Sequence, residues 1–320
     1  MFQYIDQFPK KSILVVGDVM LDLYIRGEVE RISPEAPVLV VLETSRQVTL
    51  GGAANVANNI KALGAKVSLF GVIGKDMEGE LIEKTCRAGK INSHLVVDSE
   101  RMTTTKTRAL ARHHHLLRID RENKTSLSPA IEKKIVSEIK NLPKHDLVVV
   151  SDYNKGFFTK NIIQALEKRF GKNKIVANFK PANSHLFKNI LALTHNVKEA
   201  KEITNIFATD NKFAGKVALA LGKKFSSSII LTRGDRGMTL LEKKFPPIHI
   251  PARATKVMDV TGASDTVISV LSLMLACESS LVEAAKLANF AAGLVVGLEG
   301  TATISIDYLK NSLINEKENI

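Results

Sequence analysis

Short runs of β-branched and aliphatic residues recur along this 320-residue chain, at positions 12–17, 66–70, 146–151, 174–177, 190–193 and 228–231, with helical periodicity between most of them. This alternation constrains the fold more than any other feature. A run such as Ser12-Ile13-Leu14-Val15-Val16-Gly17 leaves no polar face for water, so the strand must be covered on both sides, as in parallel sheets whose crossover helices pack on both faces. The expected class is α/β, three layers around a mostly parallel central sheet.

Two stretches break the rhythm. Positions 24–49 and 102–120 carry β-rich runs in which apolar and polar residues mix, as in Thr105-Lys106-Thr107-Arg108-Ala109-Leu110, though Val38-Leu39-Val40-Val41-Leu42 is more continuously apolar. They read as antiparallel strands with one wet face, forming a small β-sheet that projects from the main body as a lid. From Thr261 the pattern is helical: Gly262-Ala263-Ser264 opens one helix, positions 281–296 form another, and the polar end at 315–320 is expected to fray. No Pro-, Gly- or Ser-rich linker and no repeat divides the chain, so residues 1–320 are expected to form one unit carrying its lid.

Lys and Arg outnumber Asp and Glu by 45 to 33, giving +12. The basic residues are scattered and aromatics make up 5% with no Trp, so there is no stacking platform for nucleic acid; the charge suits anionic substrates instead. Cys86 and Cys277 lie in apolar helical contexts, without the pattern of a disulfide framework. No apolar N-terminal segment reads as a signal peptide and no run is long enough to span a bilayer. A cytoplasmic protein that meets neither membrane nor nucleic acid is expected.

The strongest local signal is Asp259-Val260-Thr261-Gly262-Ala263-Ser264-Asp265, leading into an apolar helix. Small residues and unpaired amides at a helix start make an anion hole, and a carboxylate in the first turn can take a proton from an attacking hydroxyl. The alternative is that Asp265 only complements the helix dipole. Gly51-Gly52-Ala53-Ala54-Asn55 permits a tight turn that turns the Asn55 amide into a cleft. Asp18 and Asp22 follow the first strand, at the carboxyl end where open α/β sheets bind ligands. Ser151-Asp152, at another strand end, either approaches a bound divalent metal ion or caps the following turn.

Residues 52–74 and 259–265 closely resemble the two signature motifs of the ribokinase-like (PfkB) carbohydrate kinases, Asn196-Val197-Lys198-Glu199 resembles that family's Asn-x-x-Glu motif, and Thr232-Arg233-Gly234-Asp235-Arg236-Gly237 its nucleotide-side segment. The resemblance covers roughly residues 12 to 305. Within the family, Gly17 to Asp22, Arg31 to Pro37, Ser151 to Gly156 and Gly297 to Thr303 are similar to the D-glycero-β-D-manno-heptose-7-phosphate kinase branch, whose members form one half of the bifunctional ADP-heptose synthase of lipopolysaccharide assembly. The resemblance implies transfer of the ATP γ-phosphate to the anomeric hydroxyl of heptose 7-phosphate. It implies Asp265 as base, Gly262, Ala263 and Ser264 with it as the anion hole, and Asp22, Gly52 and Asn55 toward the sugar; Asp18, Gly51 and Asp152, at the same strand ends and turn, are further candidates for that side. Lys106, Arg108 and Lys180 would meet the sugar's own phosphate. Asn196 and Glu199 would organise Mg²⁺ through water, Thr232, Arg233, Gly234 and Gly237 would lie on the nucleotide side, and Asn289 near the adenine. It further implies a homodimer formed through the lid, and a chain that ends without the nucleotidyltransferase half.

Three departures mark the match. Ser264 stands where the family has a second glycine, and a Cβ there is expected to crowd a phosphate or strain the turn. Asn178-Phe179-Lys180 replaces Asp-Pro-Lys, and His195 replaces a proline. They leave open a different sugar acceptor, or a weakened relative that binds sugar or nucleotide without turnover. His113-His114-His115 reads as a polar lid strand, since neighbours on a strand face opposite ways and cannot converge on one metal ion.

Overall fold

The computed structural model describes residues 1–111, 114–243, 245–253, 257–298 and 300–318. Its strands are β1 (Ser12–Gly17), β2 (Val19–Ile32), β3 (Leu39–Gly52), β4 (Lys66–Gly74), β5 (Asn92–Asp98), β6 (Thr104–Ala111), β7 (His114–Arg121), β8 (Leu147–Ser151), β9 (Ile175–Asn178), β10 (Ala192–Asn196), β11 (Ser228–Thr232), β12 (Met238–Leu241) and β13 (Ile248–Ile250). Nine of them form one sheet in the order β13-β12-β11-β10-β9-β8-β1-β4-β5. From β11 to β5 all neighbours are parallel, and only β12 and β13 run antiparallel at one edge. The continuous apolar runs explain themselves here. Ile13, Val15, Leu147 and Val149 pack on one face, against the helices Ala53–Ala62, Ala263–Ala276 and Leu281–Val295. Leu14, Val16, Val148 and Val150 pack on the other, with Pro129–Asn141, Lys160–Phe170 and Asn211–Phe225.

The second sheet has the order β3-β2-β6-β7. The expected antiparallel pairing holds for β2 with β3 and β6 with β7, but β2 and β6 run parallel, from Met20 opposite Thr104 to Gly27 opposite Ala111. The reason is directional. β2 leaves the carboxyl end of β1 and β6 follows the carboxyl end of β5, and those two main-sheet strands point the same way. The lid strands also reach further inward than expected, to Val19 and Gly52, so residues at the roots of the lid belong to the cleft.

The edge strands β5, β12 and β13 were not legible in the sequence, being short or half-polar. Of the end expected to fray, residues 315–318 continue a helix spanning Ile306–Glu318, and 319–320 lie outside the described residues. Cys86 and Cys277 are free and buried, and burial pushes the Cys86 thiol up to about 12. Among the described residues no helix is long and apolar enough to cross a membrane. His114 and His115 are exposed at the start of β7, while His113 lies outside the described residues, and no cluster able to hold a metal ion occurs among those described.

Candidate active site

The helix Ala263–Ala276 is apolar along most of its length and almost wholly buried, which fixes its start at the carboxyl end of the sheet. Its entry is braced by Asp259, whose carboxylate accepts from the amides of Thr261 (2.9 Å) and Gly300 (3.0 Å). Gly262 caps it with φ +83°, a left-handed conformation. The Ala263 amide bonds to the Val260 carbonyl at 3.3 Å. Gly262, Ser264 and Asp265 are left with amides that form no hydrogen bond among the described residues. Ser264 is exposed and lies within the helix, outside the positive-φ residues. The strain expected of its Cβ is therefore absent, because the turn places its left-handed residue at Gly262 instead.

Asp265 is buried, and both of its oxygens are engaged. Asn55 Nδ2 donates to Oδ2 at 2.7 Å and the Tyr153 hydroxyl donates to Oδ1 at 2.7 Å. Burial raises the carboxyl to about 6 and Asp22 pushes the same way, against the two hydrogen bonds and Lys180. Such a group is ionised at neutral pH yet basic enough to take a proton. Asn55 is itself fixed: Asn59 Nδ2 donates to its carbonyl at 2.9 Å, and Thr266, one residue past Asp265, donates to Asn59 Oδ1 at 3.0 Å. Helix Ala53–Ala62 and helix Ala263–Ala276 are thus tied by a buried polar chain that runs into the carboxylate. Gly51 and Gly52 permit this approach. A Cβ on Gly51 would stand 2.4 Å from Asp22 Oδ2, and Gly52 has φ +56° with the Asp18 carbonyl 2.5 Å from where its Cβ would be.

On the lid side Asp22 is buried and paired with Arg108 at 2.5 Å. Lys180 is bonded to Glu199 Oε1 at 2.5 Å. Two of the three cations singled out for the sugar phosphate therefore already hold carboxylates. Lys106 forms no ion pair among the described residues, and burial followed by Lys155 lowers its pKa. Lys106 and Lys180 lie over the Tyr153 ring, their ammonium nitrogens 5.9 and 5.2 Å from its centroid.

Asp18 and Asp152 act beneath this layer. Asp18 Oδ2 accepts from the amides of Tyr153 (2.7 Å) and Lys155 (3.1 Å). Asp152 accepts from the Asn154 and Lys180 amides and from Asn183 Nδ2. Burial and then Asp152 push Asp18 up to about 7. Both carboxylates shape the loop that carries Tyr153. Asn196 and Glu199 form a capping box at the start of helix Val197–Thr204: Asn196 Oδ1 accepts from the Glu199 amide (2.9 Å) and Glu199 Oε2 from the Asn196 amide (3.1 Å). Burial opposes ionisation of Glu199, but His195, Lys180 and the Asn196 amide bring it down to about 2. His195 Nδ1 stands 3.8 Å from Glu199 Oε2, outside hydrogen-bond reach, so Lys180 is the firmer partner.

Farther along the sheet edge, Thr232 donates to the His195 carbonyl at 3.4 Å. Arg233 is buried and turned inward, donating to Asn211 Oδ1 and the Arg236 carbonyl, both at 2.8 Å. It braces the Gly234–Arg236 turn. Among the described residues nothing lies within 4 Å of where a Cβ on Gly234 would stand, whereas one on Gly237 would meet the Ile250 carbonyl at 2.1 Å. Asn289 holds the Pro251 carbonyl at 2.8 Å. Two of the three departures, the Asn178-Phe179 segment and His195, meet near this edge. Asn178 donates to the Thr194 carbonyl at 2.7 Å, which an ionised Asp could not do, and the Phe179 ring meets His195 edge-on at 4.6 Å. Composition and spacing did not single out Tyr153, Asn59 or Thr266. Tyr153 sits in the quoted segment from Ser151 to Gly156, but its contact with Asp265 depends on how that loop is folded.

A family model described as pfkB family carbohydrate kinase matches residues 10–307. The bifunctional protein HldE of Desulfatibacillum aliphaticivorans is 42% identical over 311 residues, covering 96% of this chain and 64% of the relative. HldE of Caulobacter vibrioides is 40% identical over 310 residues, covering 93% and 62%. The chain thus spans a little under two thirds of the length of these relatives. Among solved structures, the tetrameric inhibited form of phosphofructokinase-2 from Escherichia coli has a TM-score of 0.77 at 17% identity, covering 94% of this chain and 96% of that one. Arabidopsis thaliana ribokinase complexed with ribose and ATP has a TM-score of 0.71 at 18% identity, covering 95% and 98%; at such identities the likeness establishes the fold. With the family model matched over nearly the whole chain, this protein belongs to the pfkB family of ATP-dependent carbohydrate kinases.

Proposed function

We propose that the chain phosphorylates D-glycero-β-D-manno-heptose 7-phosphate at its anomeric hydroxyl, giving the 1,7-bisphosphate, in the cytoplasm. The observation that carries the choice of a phosphorylated acceptor is Lys106. It is a half-buried ammonium without an ion pair among the described residues, on the lid strand beside Asp22 and against Tyr153. A cation so placed favours an anionic group on the acceptor. The similarity to HldE supports a heptose phosphate in particular.

The residues present fit Mg²⁺ and ATP. Three open amides at the start of helix Ala263–Ala276 suit phosphoryl oxygens. Glu199 is ionised, while its capping box and Lys180 already engage its oxygens, which suits a metal held through water. When bound, ATP would supply the γ-phosphoryl group and Mg²⁺ would offset the charge on its oxygens. Asp22 and Asn55 orient the acceptor, and Asp265 accepts the proton of its hydroxyl. The amides of Gly262, Ser264 and Asp265 stabilise negative charge beside it.

The lid register places Leu23, Val48 and Ile119, with Ile25 and Leu117, on the face opposite Asp22 and Lys106. Ile119 and Leu117 are each 57% exposed. That stripe supports a homodimer through the lid, and a monomer mass in sedimentation at micromolar concentration would exclude it. A second reading, a different sugar phosphate as acceptor, rests on Asn178 and His195. ADP release with ATP, Mg²⁺ and a panel of acceptors separates the two. Heptose 7-phosphate should turn over best, and Lys106→Gln should raise its KM about 10- to 100-fold, the range expected for a charge-assisted contact, while leaving the unphosphorylated sugar unaffected. Equal effects on both sugars would remove the basis for the proposal.

A further inference from the structure

One side chain of the cleft has no assigned part in the reaction. Tyr153 follows β8, and its backbone is fixed from two sides: Asp18 accepts from its amide at 2.7 Å and from that of Lys155 at 3.1 Å, while Asp152 Oδ1 takes the Asn154 amide at 2.7 Å. At Gly156, next in the loop, a Cβ would stand 2.0 Å from the Thr125 carbonyl, so the segment is packed closely there too. A loop held this firmly presents the phenol in one orientation. Its hydroxyl donates to Asp265 Oδ1, and its ring lies beneath the ammonium groups of Lys106 and Lys180.

We infer that Tyr153 is a positioning residue of the phosphoryl-transfer site: its hydroxyl aims the Asp265 carboxylate and keeps it ionised, while its ring sets the placement of Lys106 and Lys180. The inference rests on the kinase reading for its consequence, but its geometric content does not. A hydroxyl that can only donate to the carboxylate favours the charged form. The charged and titratable groups facing Asp265 and Tyr153 are Asp22 on β2, Lys106 on β6, Lys180 after β9 and Glu199 in its helix. The two lysines oppose the two acids, and among the described residues Tyr153 is the one donor on Oδ1. The Tyr153 hydroxyl itself is held well above its ordinary range, by burial first and by Asp265 next, and so keeps its proton.

The deciding variant is Tyr153→Phe, which removes one oxygen and keeps the ring. In the wild type, kcat should fall on the acid side with a midpoint near 6, where Asp265 takes up a proton. In Tyr153→Phe that midpoint should move up by about one pH unit, the size expected for losing a hydrogen bond to a charged group, and the acceptor KM should change less than about 3-fold because the ring remains. Tyr153→Leu should move the midpoint equally and also raise the acceptor KM about 10-fold as the lysines lose their support. Titrating ¹³C-labelled aspartate carboxyls by NMR, with the Asp265 signal identified by its loss in Asp265→Asn, reads the same shift without turnover. Coincident titration curves in wild type and Tyr153→Phe overturn the inference. An enzyme that turns over no sugar but shows the shifted carboxyl would instead refute the kinase reading and leave this one standing.

Discussion

Gly51→Ala tests whether Asp22 is confined where an acceptor needs it. The substitution adds a Cβ 2.4 Å from Asp22 Oδ2 and 2.9 Å from Met20 Cγ. To regain ordinary van der Waals separation the carboxylate must retreat by about 1 Å, and it cannot do so freely, because Oδ1 is held by Arg108 at 2.5 Å and both side chains are buried. Displacing a substrate-orienting group by that much costs on the order of 100-fold in rate, and the overpacking itself about 1–3 kcal/mol, a few degrees in melting temperature for a chain of this size. Gly51 is not among the positive-φ glycines, so backbone strain contributes nothing. Gly171→Ala is the matched control: it carries φ +89°, and its Cβ would meet only the movable Asn173 amide oxygen at 2.9 Å. It should lose about 1–3 kcal/mol, because φ +89° with ψ 140° is a backbone conformation that residues with a Cβ rarely adopt, with unchanged kinetics. ADP-release kinetics and thermal melts on both variants give the answer. Wild-type kcat/KM for the acceptor in Gly51→Ala would refute the placement of Asp22 and its role together.

Two further outcomes follow from the loop and the helix start. Asp18 holds its proton more tightly folded than unfolded, since burial and Asp152 raise it from 3.8 to about 7, so its contribution to stability is present at low pH and is lost as pH climbs from about 4 to about 7. Asp18→Asn, which still accepts from the loop amides but cannot ionise, should gain melting temperature relative to wild type across that window; parallel melting curves would contradict the assignment. Ser264→Gly should change turnover less than about 3-fold and cost under ~1 kcal/mol, because Ser264 is exposed in helical backbone. A gain of 10-fold or more in ADP release would show that its side chain obstructs the phosphoryl group after all.

The main sheet was legible because its strands are apolar on both faces, a pattern that few other environments produce. The helix start at Asp265 and the Gly51–Asn55 turn were legible because small residues beside a carboxylate and an amide have few structural reasons to stand together. What escaped reading were relations set by tertiary geometry. The sequence offered Asp18 and Asp22 as an equivalent pair, yet the backbone turns between β1 and β2 and sends one carboxylate to loop amides and the other to Arg108. It offered three cations alike, but only the fold shows that Arg108 and Lys180 already hold acids. Arg233, read toward the nucleotide, faces inward. The parallel pairing of β2 with β6 depends on two strand ends far apart in the chain, which no local periodicity encodes.

That pairing has a consequence for how the protein comes into being. The lid is not a hairpin that could close by itself, since its central partners are separated by the whole of β4 and β5, and closing so long a loop is slow. Asp22, Lys106 and Arg108 come together only when β6 pairs with β2, so the acceptor side of the cleft depends on one pairing between segments far apart in the chain. Transplanting or deleting either half of the lid alone would strand the other half as an unpaired edge.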